Sequence, residues 1–389
     1  MSDSRSRRNF LAAGIALPAA AKLPPVSSAP AAVPALHYRV LGKTGLKVTE
    51  VGCGSEAVSD SSVLQRAVDL GINFFDTARP YEGGANERAL AAALGTRRKN
   101  VIVSSRSYGK ERKAIEDDLD TSLKELRTDY LDIWYIGSKD KPSDVSDGML
   151  EAQVAAQKAG KIRFRGFSTH RLSEMLPFIL DKGRFDVVQT PYNFAMGSAR
   201  DPMKMFATGL EESIDRLHKA GIGVVAMKVM AGGYRERGAS DPLFSLYRKP
   251  GAHVSALRWA LRNPHVSTTS VRMASHDFLE ENIRAMERPF GDDDAQVLAA
   301  HLERIKPLYC RMCGACDGAC PKGLPVADLV RFVTYADGYR EFAMGYERFR
   351  RLPEEQRNVR CATCAACPVE CPNGVRVRER VSRAQELFA

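Results

Sequence analysis

A chain of 389 residues has room for one large domain and a small one, and with 27% charged residues and a mean hydropathy of −0.27 it reads as soluble. No internal apolar run approaches the roughly 20 residues that a bilayer demands, which excludes a stable membrane span. The formal charge of +10 does not point to nucleic acid, because aromatic residues are sparsely interleaved with the basic ones.

The N-terminus stands apart from the rest. Ser6-Arg7-Arg8-Asn9-Phe10-Leu11 leads into a short apolar run ending at Ala21 and then into Pro- and Ala-rich sequence to Ala35, the pattern of a twin-arginine export signal. Residues 1–35 are assigned to that signal, with cleavage near Ala35 or at Ala21, and the expected destination is the periplasm. They carry Arg5, Arg7, Arg8 and Lys22 against Asp3, which leaves +7 on the mature chain.

From residue 36 to about 300, short β-branched runs alternate with amphipathic stretches. The strand candidates are Val48 to Cys53, Asn73 to Asp76, Val101 to Ser104, Leu131 to Tyr135, Ile162 to Phe167, Val187 to Gln189, Gly223 to Ala226 and Ser267 to Val271. Helical stretches such as Ser61 to Leu70, Lys113 to Leu126 and Ala252 to Leu261 lie between them. Eight such units predict an α/β fold, a closed (β/α)8 barrel over 36–300. Gly52-Cys53-Gly54-Ser55-Glu56-Ala57, with Asp76 further on, superficially matches a dinucleotide fingerprint. A doubly wound fold would need a strand-order reversal and a second domain inside this uniform series, and Cys53 reads as a buried small hydrophobe.

Residues 301–389 hold eight of the nine cysteines. Cys310, Cys313, Cys316 and Cys320 precede Pro321, and Cys361, Cys364, Cys367 and Cys371 precede Pro372. Each run reads C-x2-C-x2-C-x3-C-P, in which three thiolates grip one [4Fe–4S] cubane and the fourth crosses to the other. Cys310, Cys313, Cys316 and Cys371 are therefore expected at one cluster, with Cys361, Cys364, Cys367 and Cys320 at the second. Zinc takes separated C-x2-C pairs, and regular spacing argues against a disulfide scaffold. A cluster inserted in the reducing cytoplasm suits an export route for folded proteins. At about −2 per oxidised cluster, the holo protein would fall to roughly +3. Arg348, Arg350, Arg351, Arg357, Arg360, Arg376, Arg378, Arg380 and Arg383 crowd the second run, either as a solvated face offsetting cluster charge or as a dock for an acidic redox partner. The aromatic residues between the runs, Phe332, Tyr335, Tyr339, Phe342, Tyr346 and Phe349, are expected to pack.

From Tyr38 to the C-terminus the chain resembles the aldo/keto reductases, in the branch with a C-terminal ferredoxin-type dicluster domain and a twin-arginine signal. The resemblance rests on Tyr38 to Val48, on Phe74-Phe75-Asp76-Thr77-Ala78 with Tyr81, on Asp129 to Asp132, on Gly160 to His170, and on Leu279-Glu280-Glu281-Asn282. It implies a barrel that binds NADP(H) or NAD(H) and an Asp, Tyr, Lys and His tetrad that reduces a carbonyl. Asp76 and Tyr81 match the tetrad. Arg106 stands where the family has lysine, and Gly137 where it has histidine. Arginine is a planar, permanently charged fork, so it does not tune a phenol as lysine does. His170, just past the fifth strand, reads either as a stand-in polar group or as a hydrogen-bonded loop residue. The resemblance assigns Ser168, Thr169 and Gln189 to the nicotinamide amide and Ser270, Arg272, Glu281 and Asn282 to the adenosine side, with Val271-Arg272 replacing the usual Pro-Gly. Lys228, at the end of the seventh strand, is a phosphate or substrate contact or a rim charge.

The leading expectation is an iron–sulfur oxidoreductase acting on a small carbonyl or related substrate. The alternative is an exported electron-transfer or binding protein whose barrel has lost hydride chemistry, favoured by Arg106 and Gly137. A structural cysteine domain on a partner-binding barrel is the third reading. A hydride carries two electrons and a cubane passes one, and the sequence contains no recognisable flavin motif to convert between them.

Overall fold

The computed structural model describes residues 35–56, 58, 60–196, 209–233 and 251–389, so the twin-arginine segment lies outside the described residues. Eight parallel strands close into a barrel: β3 (Val51–Gly54), β4 (Phe74–Asp76), β5 (Ile102–Ser107), β6 (Leu131–Ile136), β7 (Ile162–Ser168), β8 (Val187–Pro191), β9 (Gly223–Met227) and β10 (Thr268–Arg272). Closure comes from β10 pairing β3, Val271 opposite Cys53. There is no strand-order reversal, so the doubly wound alternative falls away.

The expected first strand, Val48 to Cys53, is in fact two elements. Residues Lys47–Thr49 form β2, which pairs antiparallel with β1 (Tyr38–Val40), and the barrel strand begins only at Val51. The hairpin brings Leu41 into a cluster with Phe74, Ile133, Tyr135 and Val225 that fills the barrel interior. Strand alternation then sorts the remaining side chains: in β6, Ile133 and Tyr135 face that interior, whereas Trp134 and Ile136 pack toward the helix layer. Cys53 is fully buried, and burial, reinforced by Asp76, pushes its thiol up to about 12, as expected for an inert core residue.

Past the barrel, the helices Asp292–Ile305, Val326–Asp337, Phe342–Arg350, Glu354–Asn358 and Val377–Phe388 carry the cysteine runs between them. Asp292–Ile305 packs into the barrel core through Leu298, Leu302 and Ile305, whereas Val326–Asp337, Phe342–Arg350 and Val377–Phe388 supply a separate hydrophobic cluster around Leu329, Val333, Phe349, Val381 and Phe388, against which six of the cysteines pack. Barrel and C-terminal segment belong to one compact unit, Pro34–Ala389. The helices Val326–Asp337 and Phe342–Arg350 cap the mouth of the barrel, tied to it by Arg272–Glu341 at 2.5 Å and Lys228–Tyr335 at 3.1 Å. The expectation that the intervening aromatic residues pack holds for Phe332, Tyr335 and Phe349, and for Tyr339, which packs against the same cluster. It fails for Phe342 and Tyr346, which are exposed and stack on one another, while Tyr335 and Tyr339 also turn toward the barrel mouth.

Candidate active site at the barrel mouth

Barrel chemistry collects at the C-terminal ends of the strands. There the protein has a cavity of about 320 Å3, with Asp76, Tyr81 and Arg106 on the barrel side and Tyr335, Tyr339 and Arg348 on the cap side.

Asp76, the last residue of β4, is 4% exposed and collects four hydrogen bonds. Ser104 Oγ donates at 2.6 Å, Gln189 Nε2 at 2.9 Å and Ser270 Oγ at 2.9 Å, while Arg106 Nη2 forms a close ion pair. The Arg106 fork also donates from Nη1 to Gln189 Oε1 and from Nε to the Thr77 carbonyl. Burial works against the Arg106 charge, but Asp76 and the surrounding phenols more than compensate and hold it above its ordinary value. Tyr81 lines the cavity, with its phenol raised well above 10 by burial and then by Glu56 and Tyr108, and Arg106 opposes this only in part. It is a protonated hydrogen-bond donor and a poor acid.

The slot for a side chain at position 137 is taken. A Cβ on Gly137 would meet the Ser107 carbonyl oxygen at 2.9 Å and the Tyr108 ring at 2.9 and 3.0 Å. Tyr108, which the sequence reading passed over, supplies the aromatic wall there and stacks under Arg348 at 5.5 Å.

His170 faces the cavity, and its Nδ1 lies 3.2 Å from Asp140 Oδ2. Burial pulls His170 down to about 4, with Asp140 opposing and Arg331 assisting. Asp140 is held far below the carboxylate range: burial raises it, but His170 and Arg331 more than outweigh that. Arg331 lies 3.7 Å from Asp140 and also acts on the Cys310 thiol, so one network joins the cavity wall to the first cysteine run. A histidine whose folded pKa lies below its unfolded 6.5 contributes stability that is full above pH 6.5 and lost as pH falls toward 4. His301, buried and also drawn to about 4, acts in the same sense. Thermal unfolding between pH 7.5 and 5 is therefore expected to show a loss of roughly 2 kcal/mol per buried histidine by pH 5. His170→Gln should flatten part of that slope, and an unchanged slope would show that His170 is already charged in the fold.

Of the residues assigned to a cofactor, Gln189, Lys228, Ser270 and Arg272 line the cavity. Ser168, Thr169, Glu281 and Asn282 do not: Thr169 Oγ1 donates to Asp140 at 3.1 Å, and Asn282 Nδ2 donates to the Arg272 carbonyl at 3.1 Å. Asn282 Oδ1 is buried with no hydrogen-bond partner. Arg272 is engaged by the cap, donating to the Tyr339 carbonyl at 3.0 Å and pairing with Glu341. Lys228 donates to Tyr335 Oη, and burial of that phenol is outweighed by Lys228, Arg348 and Arg331, which pull it below the ordinary tyrosine range. Tyr335, Tyr339, Glu341 and Arg348 were all missed as site residues, because only docking of the cap brings them to the mouth.

None of the nine cysteines is in a disulfide. After burial, the neighbours that raise Cys361 are Cys320, Cys367 and Cys364, and those acting on Cys316 include Cys313 and Cys371. Cys310 feels Cys316 and Cys313. Backbone and side-chain N–H groups reach two of the sulfurs: Met312 N donates to Cys310 Sγ and Asn373 Nδ2 to Cys313 Sγ, both at 3.3 Å.

Residues 52–303 match the aldo/keto reductase family. The chain is 28% identical over 320 residues to L-galactose dehydrogenase from Arabidopsis thaliana, covering 70% of this chain and 96% of that protein. It is 24% identical over 329 residues to L-glyceraldehyde 3-phosphate reductase from Escherichia coli O157:H7, covering 69% and 92%. Among solved structures, the holo form of an aldo-keto reductase from Bacillus halodurans shares the fold with a TM-score of 0.56 at 24% identity, over 68% of this chain and 96% of that one. The chain belongs to the aldo/keto reductase family of oxidoreductases.

Proposed function

We propose that the protein is an exported iron–sulfur oxidoreductase that reduces a small carbonyl substrate in the cavity at the barrel mouth, linked to NADP(H) or NAD(H). The observation that carries this reading is the convergence of Asp76, Tyr81 and Arg106 on one cavity. Tyr81 is a donor for the substrate oxygen, and the Asp76–Arg106–Gln189 network fixes the floor beneath it. Two relatives, a dehydrogenase and a reductase by name, support redox chemistry on small carbonyl compounds. The cofactor, when bound, supplies the hydride. Gln189, Ser270, Arg272, Glu281 and Asn282 are the residues to hold it, and the orphaned Asn282 Oδ1 is the kind of buried acceptor that a base amino group satisfies.

The two cysteine runs are proposed to hold [4Fe–4S] clusters, with Cys310, Cys313, Cys316 and Cys371 at one and Cys361, Cys364, Cys367 and Cys320 at the other. The sulfurs neighbour one another in these sets, Cys361 with Cys320, Cys364 and Cys367 and Cys316 with Cys313 and Cys371, and N–H donors reach two of them, which supports that assignment. Among the described residues no three His, Cys, Asp or Glu side chains come close enough to share a single metal ion. A cubane asks for a wider spread, one thiolate per corner. The exposed Arg351 and Arg376 suit the docking of an acidic redox partner, and the twin-arginine signal suits the periplasm.

A second reading is favoured by one observation: the cap occupies Arg272 and Lys228. On that reading the barrel has lost hydride transfer, and electrons pass through the clusters alone. Titration of anaerobically purified, cluster-loaded protein with NADPH and NADH separates the two, following nicotinamide fluorescence and cluster absorbance. Binding is expected on the first reading, and its absence at saturating cofactor would overturn it.

A further inference from the structure

Among the described residues five arginines and lysines line the cavity, and Arg106, Arg272, Lys228 and Arg348 among them fall into two classes. Arg106 is neutralised by Asp76, and Arg272 by Glu341. Lys228 and Arg348 have no carboxylate partner among the described residues. Lys228 Nζ donates to Tyr335 Oη at 3.1 Å and lies 4.6 Å from that ring's centroid. Arg348 lies over the rings of Tyr335 at 5.4 Å and Tyr108 at 5.5 Å. Glu56 also faces the cavity and attracts Arg348 electrostatically, but it stands beyond ion-pair distance of either cation.

Partly buried cations held by aromatic faces keep their N–H donors for something else, and two of them converging on one phenol make a site for an anion. The position is built from both sides: Lys228 comes from the end of β9 and Arg348 from the cap. Lys228 also sits at φ +54, a left-handed conformation that costs a lysine about 1–2 kcal/mol and that places its side chain on Tyr335. An arginine fork matches the two oxygens of a carboxylate. At about 320 Å3, the space admits only a small molecule.

We propose that the substrate of this cavity carries a carboxylate, and that Lys228, Tyr335 and Arg348 hold it. The proposal rests on the reading that the cavity is the substrate site and assigns that substrate's chemical class. Barrel and cap then form one binding site, complete only when the helix Phe342–Arg350 is docked.

The test is calorimetric binding to cluster-loaded, full-length protein without reductant. The probes are acetate and pyruvate, their near-isosteric uncharged amides acetamide and pyruvamide, and inorganic phosphate. At least one carboxylate is expected to bind about tenfold or more tightly than its amide. Arg348→Met and Lys228→Met should each erase that preference, while Lys219→Met, on an exposed helix of the barrel, should leave it unchanged. Equal binding of acid and amide, no binding of either acid, or unaltered preference in both variants would each overturn the proposal. Tighter binding of phosphate would overturn the carboxylate assignment in favour of a phosphoryl ligand. Should either variant fail to fold, the acid–amide comparison on the unmodified protein still decides. The measurement uses neither nicotinamide nor turnover, so a negative NADPH titration and a negative carboxylate result are separate failures.

Discussion

Replacing Arg106 by methionine is expected to cost the fold about 3–5 kcal/mol, read as a shift in denaturant midpoint at constant slope. Both partners of the Asp76–Arg106 pair are nearly buried, at 5% and 3% side-chain exposure. Removing the guanidinium leaves a carboxylate facing only neutral donors, from Ser104, Gln189 and Ser270, and it strands Gln189 Oε1. The cost is thus mainly that of an uncompensated buried charge, not the net worth of the pair. Asp76→Asn combined with Arg106→Met should therefore be less damaging than Arg106→Met alone, with a coupling energy of about 2–3 kcal/mol. Arg106→Lys restores the residue type that the family resemblance implies and keeps a cation on Asp76. An ammonium cannot span Asp76, Gln189 and the Thr77 carbonyl as the fork does, so an intermediate loss of about 1–2 kcal/mol is expected. A loss below 1 kcal/mol for Arg106→Met would mean that water already reaches this pair.

The elements legible in the sequence were those whose cause is local. β4 ends at Asp76 and β6 alternates Ile133, Trp134 and Tyr135, because strand period decides which side chain enters the barrel. The first strand was misplaced because Val48 to Cys53 reads as one continuous extended stretch, and no Gly or Pro marks the handover at Glu50 from a hairpin to a barrel strand. The cavity was legible only in half. Asp76, Tyr81 and Arg106 sit on adjoining strands or just beyond them, but Tyr335 and Arg348 arrive from more than a hundred residues away by docking. One missed residue did leave a trace. Arg106 is opposite Tyr135 in the β5–β6 register, so Tyr108 falls beside Gly137, and an aromatic residue next to a glycine across neighbouring strand ends is a space-filling exchange.

Gly338→Ala should move two affinities in opposite directions. Gly338 ends the helix Val326–Asp337, where the cap meets the rim, and an added Cβ would stand 2.0 Å from the Gly232 carbonyl oxygen and 2.9 Å from that of Thr334. Both neighbours are backbone, so neither can swing aside, and the relief is for the cap to lift. Overpacking of this kind costs about 1–3 kcal/mol. Lifting withdraws Tyr335 from Lys228 and the Tyr339 carbonyl and Glu341 from Arg272. If the rim is where a nicotinamide dinucleotide rests, docked cap and cofactor compete for the same two cations, and NADPH should bind Gly338→Ala about tenfold more tightly, since 1.4 kcal/mol of released docking energy is a factor of ten. Carboxylate binding should weaken by a similar factor, because Arg348 and Tyr335 leave with the cap. General destabilisation would weaken both ligands together, so the opposed signs are what separate an undocked cap from a damaged fold. Parallel weakening would show that the dinucleotide, like the small anion, needs the cap in place.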